Sequence, residues 1–154
     1  MHMPEPSADH DRLERLCGDW RGTETMYPSP WDPKGGTAEG HTNSRRGLNG
    51  FAVLSDYEQL RGGVRTFEGH GVYTWDAAAG EVVLHWFDGM GQGREEFRGK
   101  WDGDHLVLTS RNPQGHVRMQ YDFSQAGVLA SAMAMSTGGK QWAKLFDGSY
   151  RRAH

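Results

Sequence analysis

Residues 94–101 read Arg-Glu-Glu-Phe-Arg-Gly-Lys-Trp, and this stretch indicates the fold class of the whole chain. Its charged side chains at positions 94, 96, 98 and 100 alternate with Glu95, Phe97, Gly99 and Trp101. Successive side chains of a β-strand point to opposite faces of a sheet, so the alternation predicts one solvent face and one core face. Glu95 is the charged exception on the core face, which makes it a candidate functional residue.

Runs of similar character follow one another along most of the chain, and turn residues close each of them. Asn49-Gly50 and Asp102-Gly103 are typical of tight hairpins between neighbouring runs. The predicted strands are Trp20–Tyr27, Glu39–Gly47, Phe51–Leu60, Thr66–Trp75, Glu81–Phe87, Arg94–Trp101, His105–Arg111, His116–Phe123, Val128–Ser136 and Trp142–Arg152. Before them, Ser7 or Asp9 can cap a short helix that ends at Gly18.

This pattern predicts an all-β protein, a single up-and-down antiparallel barrel of about ten strands with a short N-terminal helix. A barrel is favoured over an open sheet, because so many consecutive strands would otherwise leave two exposed edges. Antiparallel barrels of this size often enclose a ligand cavity.

Length and composition set further bounds on the 154-residue chain. We expect one domain, with a flexible N-terminus at residues 1–6 and the barrel at residues 7–152. The net charge of −3 argues against nucleic acid as a main partner, and the single Cys17 rules out an internal disulfide framework. The apolar runs are too short for membrane helices, so we expect a cytoplasmic protein. The expected partner is a small-molecule ligand in the barrel cavity. A homodimer is left open.

Two short segments at the ends of the predicted barrel carry a family resemblance. Gly18-Asp19-Trp20 begins the first strand, and Ser149-Tyr150-Arg151-Arg152 ends the last. A G-x-W motif with an arginine on the last strand resembles the calycin barrels, which include lipocalins and fatty-acid-binding proteins. In those barrels the arginine packs over the tryptophan and closes one end, so the resemblance implies that Trp20 lies near Arg151 or Arg152.

A wider set of blocks resembles a bacterial calycin-like family of unknown function, and the start at Trp20–Glu24 followed by Pro28 is similar to nitrobindin-type barrels. The blocks are Leu16–Gly22, Gly50–Tyr57, Gly69–Asp76, His85–Asp88, Glu96–Leu108 and Trp142–Arg151. The resemblance implies the barrel and a ligand cavity, with no established activity.

Nitrobindin-type barrels would imply haem, with an axial histidine from the C-terminal part of the barrel. The last two predicted strands contain no histidine, so no cofactor is predicted and haem is kept as a secondary hypothesis. No H-x-H or H-E-x-x-H spacing occurs among the eight histidines, so no metal site is predicted either.

Up-and-down connectivity places alternate loops at one end, which we interpret as the mouth of the barrel. The longest of these loops contains Pro28–Gly36, which we expect to act as a lid with Trp31 near the pocket. The residues predicted to bind the ligand are Trp31, His41, Tyr57, His70, Trp86, Glu95, Tyr121, Met133 and Trp142.

The leading hypothesis from these residues is a small-molecule-binding barrel for an apolar or aromatic metabolite. A second hypothesis is an acid/base enzyme of the isomerase or cyclase type in the same pocket, with Glu95, His70 and Asp88 as candidate catalytic residues. Two further hypotheses are a filled barrel with a purely structural role and a haem-binding barrel.

Overall fold

A computed structural model describes residues 2–30, 32–113 and 115–153. Helix α1 covers Ala8–Arg12 and continues into a 3-10 helix at Leu13–Leu16, and a 3-10 turn covers Leu48–Gly50. The strands are β1 (Gly18–Met26), β2 (Gly36–Gly47), β3 (Ala52–Arg61), β4 (Val64–Asp76), β5 (Glu81–Asp88), β6 (Glu95–Asp102), β7 (His105–Asn112), β8 (Gly115–Asp122), β9 (Val128–Ser136) and β10 (Ala143–Ala153).

The ten strands form one closed antiparallel barrel in which each strand pairs with its neighbours in sequence. The barrel closes where β1 pairs with β10, with Trp20 opposite Arg152 and Gly22 opposite Tyr150. The predicted fold class is therefore confirmed, and the predicted strand bounds differ from the observed ones by a few residues at most. Period-two alternation located the strands well because each of them has one face in the barrel interior.

The N-terminal helix covers one end of the barrel. Ser7 caps α1 through a capping box with His10. Leu13 and Leu16 are 1% and 4% exposed, so the 3-10 helix presents its apolar face to the barrel interior. Within the described ranges, no helix is long and apolar enough to cross a membrane.

Trp20 closes the same end of the barrel. Its indole N–H donates a hydrogen bond of 3.0 Å to the carbonyl of Leu16. The guanidinium carbon of Arg152 lies 4.7 Å from the centre of the Trp20 ring, and the same side chain donates a 3.0 Å hydrogen bond to the carbonyl of Cys17. The expected tryptophan–arginine contact is therefore present, and this end of the barrel is its closed end.

The closed half of the barrel interior is filled by buried side chains. They come from most strands and pack against Trp20 and the 3-10 helix. They include Val53, Tyr73, Leu84, Phe97, Leu106, Leu108, Tyr121, Phe123, Leu129 and Tyr150, each less than 9% exposed. Apolar burial on this scale supplies the main stabilisation of the fold.

Candidate ligand chamber

The interior of the other half, toward the mouth, is not filled in the same way. Its inward side chains share the strand faces of the buried core, yet they remain partly accessible to solvent. They are Met26, Tyr57, Gln59, Phe67, Trp86, Glu95, Val117, Met119, Met133, Met135 and Phe146. We call this mouth-side part of the barrel interior the chamber. Its wall is mainly apolar and aromatic, with a few polar groups, as in most small-molecule sites.

A buried carboxylate forms part of the chamber floor. Glu24 is fully buried and accepts hydrogen bonds from the Tyr57 hydroxyl at 2.7 and 2.9 Å and from the Gln59 amide at 3.1 Å. The Tyr150 hydroxyl donates a further hydrogen bond to it. Several neutral donors from β3 and β10 thus satisfy one carboxylate, which offsets much of the cost of its burial.

The tyrosines of this cluster stay protonated at neutral pH. Burial, together with the negative charge of Glu24, raises the pKa of both Tyr57 and Tyr150 well above the ordinary value of 10.0. The cluster also depends on Gly40, because a Cβ at that position would lie 2.3 Å from a Glu24 oxygen. Tyr57 and Gln59 therefore present fixed polar groups at the bottom of an otherwise apolar space.

The indole of Trp86 forms one wall of the chamber and lies across two glycines of β4. A Cβ added to Gly69 would lie 2.1 Å from Trp86 Cζ2, and one added to Gly71 would lie 2.9 Å from Leu84. These close approaches show that positions 69 and 71 face the barrel interior. The Trp86 ring lies 6.4 Å from that of Tyr57, so the two aromatic groups are neighbours in the chamber.

Two carboxylates lie beside Trp86 at the mouth. Asp88 accepts 2.9 Å hydrogen bonds from the Trp86 indole N–H and from the backbone N–H of Met90. Glu95 lies directly opposite Trp86 in the β5–β6 ladder and therefore on the same inward face. Burial raises the pKa of Glu95, and the negative charge of Asp88 raises it further.

The barrel wall opens between β6 and β7 on the mouth side. The hydrogen-bonded ladder between these strands ends at the pair Arg98 and Thr109. Strand β6 nevertheless begins at Glu95, and β7 continues to Asn112 while still pairing with β8. The two strands therefore separate as they approach the mouth.

A crevice of about 1140 Å³ lies along this opening. Its walls include Trp86, Glu95 and Ser110 from inward faces, and Glu96 and Arg111 from outward faces. Loop residues of the mouth, among them Gln92, Gly93 and Lys140, complete its lining. The crevice therefore lies at the mouth and shares Trp86 and Glu95 with the chamber.

The structure brings five of the predicted candidate residues to the chamber or its rim. Tyr57, Trp86, Glu95 and Met133 face inward, and Asp88 lies at the mouth beside Trp86. Met133 pairs with Met119 on one side and with Phe146 on the other, so sulfur and aromatic groups meet there. Their role in binding remains a prediction.

Two predicted histidines lie on the outer wall, which corrects the expectation that they face the barrel interior, although both border a surface groove that also touches Tyr57 and Asp88. His70 stands between the inward-facing Gly69 and Gly71, and its ring lies 2.7 Å from the Asp56 carboxylate. His41 contacts Asp19 at 2.8 Å and also Glu58. Both histidines are mid-strand residues whose inward neighbours are glycines or small groups, so alternation places them outside. His70 cannot reach the Glu95 carboxylate to form an acid/base pair.

The remaining predicted residues lie elsewhere. Tyr121 belongs to the packed half, where its hydroxyl is 2.7 Å from that of Tyr73. Trp142 stacks outside the barrel on the Arg118 guanidinium, 4.2 Å away, and beside His116, so it reaches only the outer rim of the crevice. The expectation that these two line the pocket is corrected accordingly, and Trp31 lies outside the described residues.

The loop that we expect to act as a lid is tied to the barrel by a salt bridge. Asp32 exchanges backbone hydrogen bonds with Ser29 and accepts one from Gly35. Its carboxylate receives a 2.6 Å hydrogen bond from the Arg61 guanidinium at the end of β3. The loop is thus held near the mouth, and its action as a lid remains a prediction.

The interior offers haem no axial histidine. In the part of the chain that the structure describes, the strand histidines His41, His70, His85, His105 and His116 all lie on outward faces, by alternation and by their contacts with outer-wall groups. Strands β9 and β10 contain no histidine. The residues present therefore do not fit the haem site that the nitrobindin resemblance implies.

Sequence reasoning missed Glu24, although the signal was available. Glu24 follows Trp20 and Gly22 at period two, so it shares the inward face of a residue already assigned to the interior. Its donors could not be predicted, because Tyr57 and Tyr150 are far apart in sequence. The opening between β6 and β7 could not be predicted from the sequence either, because inward and outward side chains alternate normally along both strands.

Comparisons with known proteins agree with the barrel fold. No curated protein matches the sequence. The structure of Rv2717c from M. tuberculosis is similar, with a TM-score of 0.75 at 13% identity, and covers 97% of this chain and 100% of that one. The S-type phycobiliprotein lyase CPES from Guillardia theta is similar with a TM-score of 0.60 at 11% identity, covering 96% and 94%. At such identities the likeness shows the fold alone. The chain matches the DUF1579 family, described as proteins of unknown function, over residues 5–152, and it belongs to that family.

Proposed function

We propose that this protein binds a small apolar or aromatic molecule in the chamber at the mouth side of the barrel. The observation that carries the proposal is the contrast along the inward face. Most inward side chains of the closed half are buried, although Trp75 and Trp101 are only partly so. Most of those in the mouth half, among them Trp86, Met119 and Met133, remain partly accessible, although Ser110 is buried. Apolar side chains that remain accessible inside the barrel are a ready source of binding free energy.

The few polar groups of the chamber are held in fixed positions, which suits them to orient a bound ligand. Tyr57 and Gln59 are fixed by Glu24 at the floor, and Asp88 is fixed by Trp86 at the mouth. Few polar groups, held in place by their neighbours, give a binding site specificity without filling it. The similarity of fold to a phycobiliprotein lyase is compatible with a barrel that handles a small molecule.

A second candidate function is proton transfer in the same chamber. One observation favours it, namely that burial and the charge of Asp88 raise the pKa of Glu95. Turnover of any metabolite by the wild type that disappears in Glu95→Gln, with a bell-shaped pH dependence, would support it. Saturable binding without turnover across the pH range supports the binding function alone.

A neutral fluorescent dye, N-phenyl-1-naphthylamine, tests the proposed function. We expect its emission to rise and shift to the blue on saturable, one-to-one binding to the wild type. Met133→Trp places a large ring in the chamber and should abolish the signal, since the space is then filled. Gln120→Trp adds the same ring to the outer face of β8 and serves as the matched control.

Circular dichroism establishes that both variants retain the barrel. If the wild type gives no saturable signal, or if folded Met133→Trp binds the dye as well as Gln120→Trp does, the chamber is not the binding site.

A further inference from the structure

We infer that the ligand carries a positively charged nitrogen, which binds between the carboxylates of Glu95 and Asp88 beside the Trp86 ring. The inference deepens the proposed function, on which it rests, by naming the chemical class of the ligand. It begins from Glu95, a carboxylate that has no partner in the part of the chain that the structure describes.

Glu95 differs in its contacts from the other described carboxylates that are at least partly shielded from solvent. Asp19, Glu24, Asp32 and the other shielded acids each have a hydrogen bond or an ion pair. Within residues 2–30, 32–113 and 115–153, Glu95 alone among them has neither. A shielded carboxylate without a partner is costly unless something outside the chain supplies one.

The surroundings of Glu95 increase that cost. Burial and the nearby charge of Asp88 both disfavour its ionised form, and no cation acts in the opposite direction. Four lysine and arginine residues line the crevice, and among the described residues none of them has an ion pair with Glu95. Arg98 binds Asp76 and Glu96, and Arg94 contacts His85. Arg111 lies on the outward face of β7, and Lys140 lies in the loop before β10. A ligand cation would therefore supply the counter-charge that the chamber lacks.

The neighbouring groups favour an organic cation over a metal ion. Among the described residues, Glu95 and Asp88 belong to no group of three or more His, Cys, Asp or Glu side chains able to hold a metal. The aromatic rings of Trp86 and Tyr57 lie on the same inward face, 6.4 Å apart. Carboxylates next to aromatic faces suit an alkylammonium group, whose charge binds the acids and whose methylenes contact the rings.

Three matched probes distinguish the contribution of charge to the binding affinity from that of apolar contact. They are 4-phenylbutylamine, 4-phenylbutanol and 4-phenylbutyrate. Each is titrated directly by calorimetry and also by displacement of N-phenyl-1-naphthylamine. We expect the amine to bind the wild type at least about tenfold more tightly than the alcohol. The butyrate should bind most weakly, because its charge has the same sign as the two acids.

Glu95→Gln should reduce the affinity for the amine to about that for the alcohol and leave the alcohol unaffected. Glu39→Gln is the matched control, since it removes the same charge from an exposed position on the outer face of β2. The control should bind all three probes as the wild type does.

Two results would overturn the inference while the proposed function stands. The first is equal binding of the amine and the alcohol by the wild type. The second is a preference for the amine that persists in Glu95→Gln and disappears at high salt. Such a preference would come from the negative charge of the whole protein surface and not from Glu95. If neither the dye nor any of the three probes binds, the proposed function and this inference both fail.

Discussion

Trp86 and Glu95 are direct cross-strand partners in the β5–β6 ladder, so an indole shares the inward face of the barrel with a carboxylate that has no partner among the described residues. The position of the indole is fixed from two sides. Its N–H donates to Asp88 at 2.9 Å, and its ring occupies the space left by Gly69. The chamber wall is therefore built on backbone positions that exclude a side chain.

Gly69→Ala tests this arrangement. The new Cβ would lie 2.1 Å from the Trp86 ring, so the ring has to move. We expect a loss of about 1–3 kcal/mol in the free energy of unfolding, as for other overpacked sites, together with weaker dye binding. Gly138→Ala is the control, because nothing lies within 4 Å of a Cβ there. Equal urea-unfolding curves for the two variants would contradict the account.

Trp20→Ala tests the closed end. The side chain is 2% exposed and contacts Leu16, Phe123 and Arg152, so its removal leaves a cavity. We expect a loss of about 3–5 kcal/mol in the free energy of unfolding. Arg152→Ala keeps the indole in place and should cost less, about 0.5–2 kcal/mol. A Trp20→Ala variant as stable as the wild type would show that this end does not depend on the indole.

The Trp86 wall and the closed end at Trp20 show how much of the structure could be predicted from the sequence. The strands follow from local signals such as the alternation in residues 94–101, and the closed end follows from the resemblance of Gly18-Asp19-Trp20 and Arg151-Arg152 to calycin barrels. Glu95 was identified from the same alternation, since a charge on an apolar face is visible within a single strand.

The rest of the chamber depends on which strands meet across the barrel. His41 and His70 were assigned to the interior from their position along the strand, and only the register shows that their neighbours take the inward face. The cluster around Glu24 joins residues from three strands, and the end of the β6–β7 ladder at Arg98 is a tertiary feature. No local pattern encodes either of them.

Glu95→Gln should also change stability in a pH-dependent way. The folded state raises the pKa of Glu95 above its ordinary value of 4.5, so folding favours the protonated form. Ionised Glu95 therefore destabilises the fold at neutral pH, and this effect vanishes below pH 4.5. Thermal unfolding should give a higher Tm for Glu95→Gln at neutral pH and an equal Tm in acid. A lower Tm at neutral pH would show that Glu95 has a stabilising partner.

The buried tyrosines predict the behaviour of the protein in alkali. Burial raises the pKa of Tyr121 to about 12, and burial also raises the pKa of Tyr73 well above 10.0. Stability from these groups is complete below the unfolded value near 10 and is lost as the pH rises toward the folded values. Tyrosinate absorbance should therefore rise together with the loss of circular dichroism. Full ionisation near pH 10 in an intact barrel would contradict their burial.

The methionines offer the most direct test of the central claim, that the mouth half of the barrel is a binding chamber. Met26, Met119, Met133 and Met135 face the chamber, whereas Met3 is 72% exposed in the N-terminal segment. Carbon-13-labelled methionine methyl groups can be followed by NMR during titration with 4-phenylbutylamine. We predict saturable shifts for the four chamber methyls and none for Met3. Shifts confined to Met3, or no shifts at any of the five methyls, would contradict the account.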